Sequence, residues 1–65
     1  MDLGAAMMDR ARHQQVLEGV ERMLAALLDE SVGLIGHEAT MYRALLWDAK
    51  ATVKAAAAQL GRLPS

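Results

Sequence analysis

The sequence predicts an all-α fold, an antiparallel two-helix hairpin packed like a coiled coil, and two observations lead to this prediction. Apolar residues recur at helical spacing over 8–32 and over 38–63, and the intervening 33–37 holds two glycines. Alanine occurs 13 times and leucine 10 times, whereas phenylalanine is absent, a composition that favours helices over sheet. We expect one hairpin domain over 8–63, completed by oligomerisation or a different partner, after a flexible segment 1–7.

The first predicted helix has one broad apolar stripe and a charged back. At 100° per residue, seven apolar side chains share an arc of about 140°, which is typical of a helix surface that faces a core. They are Val16, Leu17, Val20, Met23, Leu24, Leu27 and Leu28. The helix is expected to end near Val32, because Gly33 can adopt the left-handed conformation that closes many helices.

The predicted loop is unusual because it carries two large apolar residues, Leu34 and Ile35, beside Gly36. Two interpretations stay open at this stage. The pair either caps the end of the interhelical seam or forms an exposed contact point for a partner.

The second predicted helix has two unequal apolar faces. A heptad seam, expected to pack on the first helix, comprises Tyr42, Leu46, Ala49, Val53, Ala56, Leu60 and Leu63. On the other side lies a narrow strip, called the Trp47 strip below, which comprises Ala44, Trp47, Ala51, Ala55 and Ala58. A tryptophan beside alanines either anchors an interface or is partly exposed on a helix rich in alanine for its propensity.

The length and charge of the chain favour assembly. A chain of 65 residues seldom encloses an adequate core, and without cysteine it has no disulfide or thiolate metal site to compensate. Residues 1–38 hold seven acids against three arginines, while residues 39–65 hold four cations against one aspartate. This asymmetry favours antiparallel pairing, and the length requires a partner or a second copy.

Other classes of function find little support in the sequence. No catalytic motif, phosphate loop or small-molecule site is evident, so we expect neither an enzyme nor a cofactor. His13 and His37 are too far apart along one helix to share a metal, and no metal site is expected. No apolar run is long enough to span a bilayer and no signal peptide is evident, so we expect a soluble cytoplasmic protein.

Nucleic-acid binding is an alternative that three cations raise. Arg43, Lys50 and Lys54 lie close together around the second helix, and a two-fold axis would double them to six. Three cations per chain predict only modest affinity, and the acidic first half lies nearby. We therefore expect no nucleic-acid partner, and retain a homodimeric four-helix RNA-binding regulator as the alternative function.

The pattern also resembles a known family. Residues 14–17 (QQVL) lead into an Ala/Leu-rich helix, a short glycine loop follows, and residues 41–51 read MYRALLWDAKA. Over residues 14–63 this order is similar to that of the small helical-hairpin co-chaperones of type III secretion needle subunits. The resemblance implies a hairpin that packs against a tetratricopeptide-like chaperone and helps to shield a polymerisation-prone needle subunit in the cytoplasm.

The sequence thus predicts a protein-protein interaction module, a small cytoplasmic chaperone or adaptor for a larger helical partner. A purely structural self-assembling hairpin is a further alternative, which sequence alone does not separate from the first. The predicted partner-binding residues are Tyr42, Leu46, Trp47, Ala51, Val53 and Leu60.

Overall fold

The chain folds into two long helices joined by a short turn. The computed structural model describes the backbone of residues 3–64 and the side chains of residues 9–64. Helix α1 spans Leu3–Glu30, a single 3₁₀ turn spans Ser31–Gly33, and helix α2 spans His37–Gly61. The two helices pack along one another, which confirms the predicted all-α hairpin.

Hydrogen bonds from two arginines to backbone carbonyls join the helices near both ends of the hairpin. At the open end, the Arg10 guanidinium donates to the carbonyl oxygen of Pro64 at 2.8 Å. At the loop end, the Arg43 guanidinium donates to the carbonyl oxygen of Ser31 at 2.7 Å. The start of α1 therefore lies beside the end of α2, as an antiparallel hairpin requires.

The hairpin is elongated. Its principal extents are 53 × 16 × 12 Å and its radius of gyration is 15.6 Å, whereas a compact chain of this length would have a radius of about 11 Å. Two helices lying side by side produce this shape, because neither has a third element to pack against. Both helices therefore expose most of their circumference.

The interhelical seam is thin and is rotated from the predicted heptad line. Leu46, only 8% exposed, is the one buried hydrophobic residue among the side chains described. Half-buried residues flank it, and they include Leu17, Leu24 and Leu28 on α1 and Ala49, Val53, Ala57 and Leu60 on α2. Tyr42, Ala56 and Leu63, which were predicted to lie in the seam, are exposed. Arg43 and Lys50 are half-buried on the side of the seam opposite Tyr42. Long cationic side chains can occupy such positions because their aliphatic stems pack while their charged groups reach polar partners.

The turn between the helices also differs from its prediction. Gly33 ends the 3₁₀ turn without positive φ, and Gly36 instead takes φ +106°, ψ 170° as the residue that precedes α2. The expectation that Gly33 would close α1 in the left-handed region is therefore wrong. Instead, the buried residue Ser31 follows α1, and its hydroxyl donates to the carbonyl oxygen of Leu28 in the last turn of the helix at 2.7 Å.

The helix bounds depart modestly from those predicted. Helix α1 begins at Leu3, five residues before the predicted start, so residues 3–7 of the segment expected to be flexible are helical. Residues 1 and 2 of that segment lie outside the described residues. Helix α2 ends at Gly61, where the backbone N–H of Arg62 bonds to the carbonyl oxygens of Gln59 and Leu60.

Candidate interaction surfaces

One exposed apolar surface lies on one side of the hairpin and includes residues of both helices. We call it the broad face, and its large side chains are Val16, Met23, Leu27, Tyr42, Leu45 and Leu63. On α1, the first three lie about 80–120° from the seam direction of Leu17 at 100° per residue. Met23 is 67% exposed, so a side chain predicted to face a core faces solvent instead.

Two shallow grooves show that the exposed residues of α1 and α2 belong to the same side. Near the loop, Leu27 of α1 and Tyr42 of α2 line one groove together with Leu34. Near the open end, a second groove is lined by His13 and Leu17 of α1, by Ala56, Gln59 and Leu60 of α2, and by Leu63 just after α2. Apolar side chains from the two halves of the hairpin therefore lie on the same side near each of its ends.

The Trp47 strip is a second exposed apolar surface, on the back of the hairpin. All five of its residues are exposed, and Trp47 itself is 60% exposed. The ammonium group of Lys50 lies 5.2 Å from the centroid of the Trp47 ring, within the range of a cation–π interaction. One face of the Trp47 ring is thus covered by Lys50.

The predicted partner-binding residues point in different directions. Leu46 is buried, and Val53 and Leu60 are half-buried along the seam. Tyr42 belongs to the broad face, whereas Trp47 and Ala51 lie on the back. The six residues therefore do not form one surface, and only the exposed ones are open to a partner in this hairpin.

The three cations of the nucleic-acid alternative are partly engaged. Arg43 is half-buried and donates to the carbonyl oxygens of Ser31 and Leu34, at 2.7 and 2.9 Å. Lys50 is half-buried against Trp47, and Lys54 is exposed. Arg43 thus helps to close the turn and Lys50 covers the Trp47 ring, so these two of the three predicted cations already have partners within the hairpin.

Sequence reasoning missed the broad face because it assigned all of the first helix's stripe to a core. A stripe of about 140° is wider than the seam that a single neighbouring helix can cover. That width was the available signal, since a hairpin has no third helix to cover the remainder. The apolar residues of the turn are uncovered for the same reason, because no third helix packs there. Ile35 is 91% exposed and Leu34 is half exposed.

The described residues contain neither a membrane-spanning helix nor a metal-binding cluster. Neither helix contains an apolar stretch long enough to cross a membrane within residues 3–64. Among the described histidine, aspartate and glutamate side chains, no group of three is placed to hold a metal ion. Comparison with protein-family models, curated proteins and solved structures found no match to this chain.

Proposed function

We propose that this protein is a non-enzymatic interaction module that works by placing its broad face against another helical surface. The observation that supports the proposal is the imbalance between core and exposed apolar surface. One hydrophobic residue is buried among the described side chains, whereas eleven large hydrophobic residues are exposed. Six of these eleven belong to the broad face, and a monomeric protein rarely leaves a large group of apolar side chains uncovered on one side.

The partner we propose is itself helical. The broad face is two helices wide and its raised rows follow the helix axes, so the ridges of another helix can pack between them. Hydrogen bonding favours the same partner, because a helix satisfies its own backbone groups and can lie on an apolar surface without leaving them unpaired. A small chaperone or adaptor that acts in the cytoplasm and stabilises a larger helical protein fits these requirements.

The experiment introduces a charge on the broad face and measures capture of the partner in the native host. Met23→Glu and Leu45→Glu each place a carboxylate within the face. Ala26→Glu and Ala44→Glu are matched controls, because both alanines are exposed on the back of the hairpin. Tagged chains are purified from the host and the co-purifying proteins are quantified by mass spectrometry, with helicity of each variant checked by circular dichroism.

We expect one helical protein to co-purify with the wild type and with both control variants, in the same amount relative to the tagged chain. The Met23→Glu and Leu45→Glu variants should lose that protein while remaining helical. Equal recovery with all five chains would reject the broad face as the binding surface. Recovery of no specific protein with the wild type would reject the adaptor role.

A further inference from the structure

The hairpin exposes more solvent-accessible surface than a compact protein of the same mass. The chain exposes 5324 Å², whereas a compact monomer of 7.0 kDa would expose about 4,000 Å² by the usual scaling of surface with mass. The excess is larger than the roughly 800 Å² that each partner buries in a standard stable interface. The excess surface of the whole hairpin is therefore large enough for an interface of standard size.

The charge distribution of the broad face is that of an interface. Its central part, from Val16 to Leu27 on α1 and from Leu45 to Ala56 on α2, presents apolar side chains and Thr52. Charged residues stand at the ends and rim, where Glu30 lines the groove beside Leu27. An uncharged centre with a charged rim is the usual composition of a protein-protein contact.

The two helices contribute rows of different bulk to this face. Helix α1 contributes Val16, Val20, Met23 and Leu27, whereas α2 contributes Leu45 near the loop and then the smaller Ala49, Thr52 and Ala56. The arginine hydrogen bonds at both ends fix the register of the hairpin. Interpolating between them places Val16 at about the height of Ala58, within one helical turn of Ala56, and Met23 at about the height of Ala51, within one turn of Ala49. From Val16 to Met23, the bulky row of α1 therefore runs beside the small residues Ala49, Thr52 and Ala56 to within one helical turn.

Two symmetric arrangements can stack this face on itself. With the two-fold axis along the hairpin, each α1 lies on the partner's α2 and both loops are at the same end. With the axis across the hairpin, α1 lies on α1 and α2 on α2. The first arrangement seats each bulky row on a row of small residues, whereas the second opposes bulk to bulk and leaves space between the alanines. Close packing favours the first.

We propose that the occupant of the broad face is a second copy of this chain, in a two-fold symmetric four-helix bundle with both loops at the same end. The inference rests on the proposed function, since it names the helical partner at that face. The Trp47 strip stays on the outside of the bundle.

The absence of cysteine from the sequence permits a direct test by disulfide trapping. Purified Val16→Cys and Ala56→Cys chains are mixed, oxidised and separated on a non-reducing gel. The proposed bundle places these positions against each other across the interface, so the mixture should yield a cross-linked heterodimer while each variant alone should not. Ala58→Cys is the matched control, because Ala58 is exposed at nearly the same height on the back of α2.

Cross-linking of Val16→Cys with Ala58→Cys as efficient as with Ala56→Cys would overturn the arrangement. Sedimentation of the purified wild type across a concentration series tests the dimer itself, and Met23→Glu should weaken it by about 100-fold because a carboxylate would be buried without a partner. A wild type that stays monomeric overturns the inference but leaves the adaptor role standing if a native partner is recovered. A dimer without any native partner supports the inference and rejects the adaptor role.

Discussion

Arg43 and Ser31 join the two helices where the chain turns: the Arg43 guanidinium donates to the Ser31 carbonyl oxygen at 2.7 Å. The same nitrogen also donates to the carbonyl oxygen of Leu34 at 2.9 Å. Carbonyl groups at the end of a helix lack partners within it, and a cation near that end interacts favourably with the helix dipole. Arg43 of α2 therefore supplies an additional hydrogen-bond donor and a positive charge to the carbonyl groups that follow α1.

Replacing Arg43 with methionine should destabilise the hairpin by about 1.5–3 kcal/mol, the range for a hydrogen bond to a charged group. Methionine keeps most of the aliphatic stem, so the loss reports on the guanidinium. Arg22→Met is the control, because Arg22 is exposed on α1. The measurement is urea unfolding followed by circular dichroism at a fixed protein concentration, and equal midpoints for the two variants would contradict the assigned role.

The turn should tolerate alanine at Gly33 but not at Gly36. Gly36 has φ +106° and ψ 170°, a region nearly restricted to glycine, so Gly36→Ala should cost roughly 1–3 kcal/mol. Gly33 lacks positive φ and an added Cβ would meet no atom within 4 Å, so Gly33→Ala should be neutral or slightly stabilising. Thermal unfolding of both variants tests this, and the reverse order of stability would show that the turn is assigned incorrectly.

The sequence predicted the helices and their pairing, because helical periodicity and composition are local properties that a hairpin expresses directly. It placed Leu46 and Val53 in the seam correctly, since both lie near the centre of the apolar arc of α2. The prediction for Tyr42 was wrong because a heptad pattern counts only apolar residues, whereas the charged Arg43 is the half-buried residue at this point of α2. Arg43 packs its stem at the seam and bonds to the turn, and this nonlocal contact rotates the helix relative to the predicted line.

Neighbouring leucines on α2 should respond differently to truncation. Leu46 is 8% exposed and Leu45 is 64% exposed. Leu46→Ala removes the buried centre of the seam and should cost on the order of 2 kcal/mol at any protein concentration, near the lower end for leucine truncation in a core. Leu45→Ala should act mainly through association, so its effect on the unfolding midpoint should grow as the concentration rises.

Thermal unfolding of both variants at two concentrations, tenfold or more apart, separates these mechanisms. The Leu46→Ala deficit should stay nearly constant between them. An equally constant deficit for Leu45→Ala would show that the side chain contributes within one hairpin and not to a contact between chains.

Trp47 should remain exposed when the hairpin associates through its broad face. It is the only tryptophan in the chain and it lies on the back of α2, with Lys50 over its ring at 5.2 Å. Its fluorescence emission maximum should therefore stay at the long wavelengths of a solvated indole throughout a dilution series in which sedimentation reports dissociation. Because burial of the ring between chains would shift the emission to shorter wavelengths, a blue shift that grows with concentration would place the Trp47 strip, and not the broad face, in the contact.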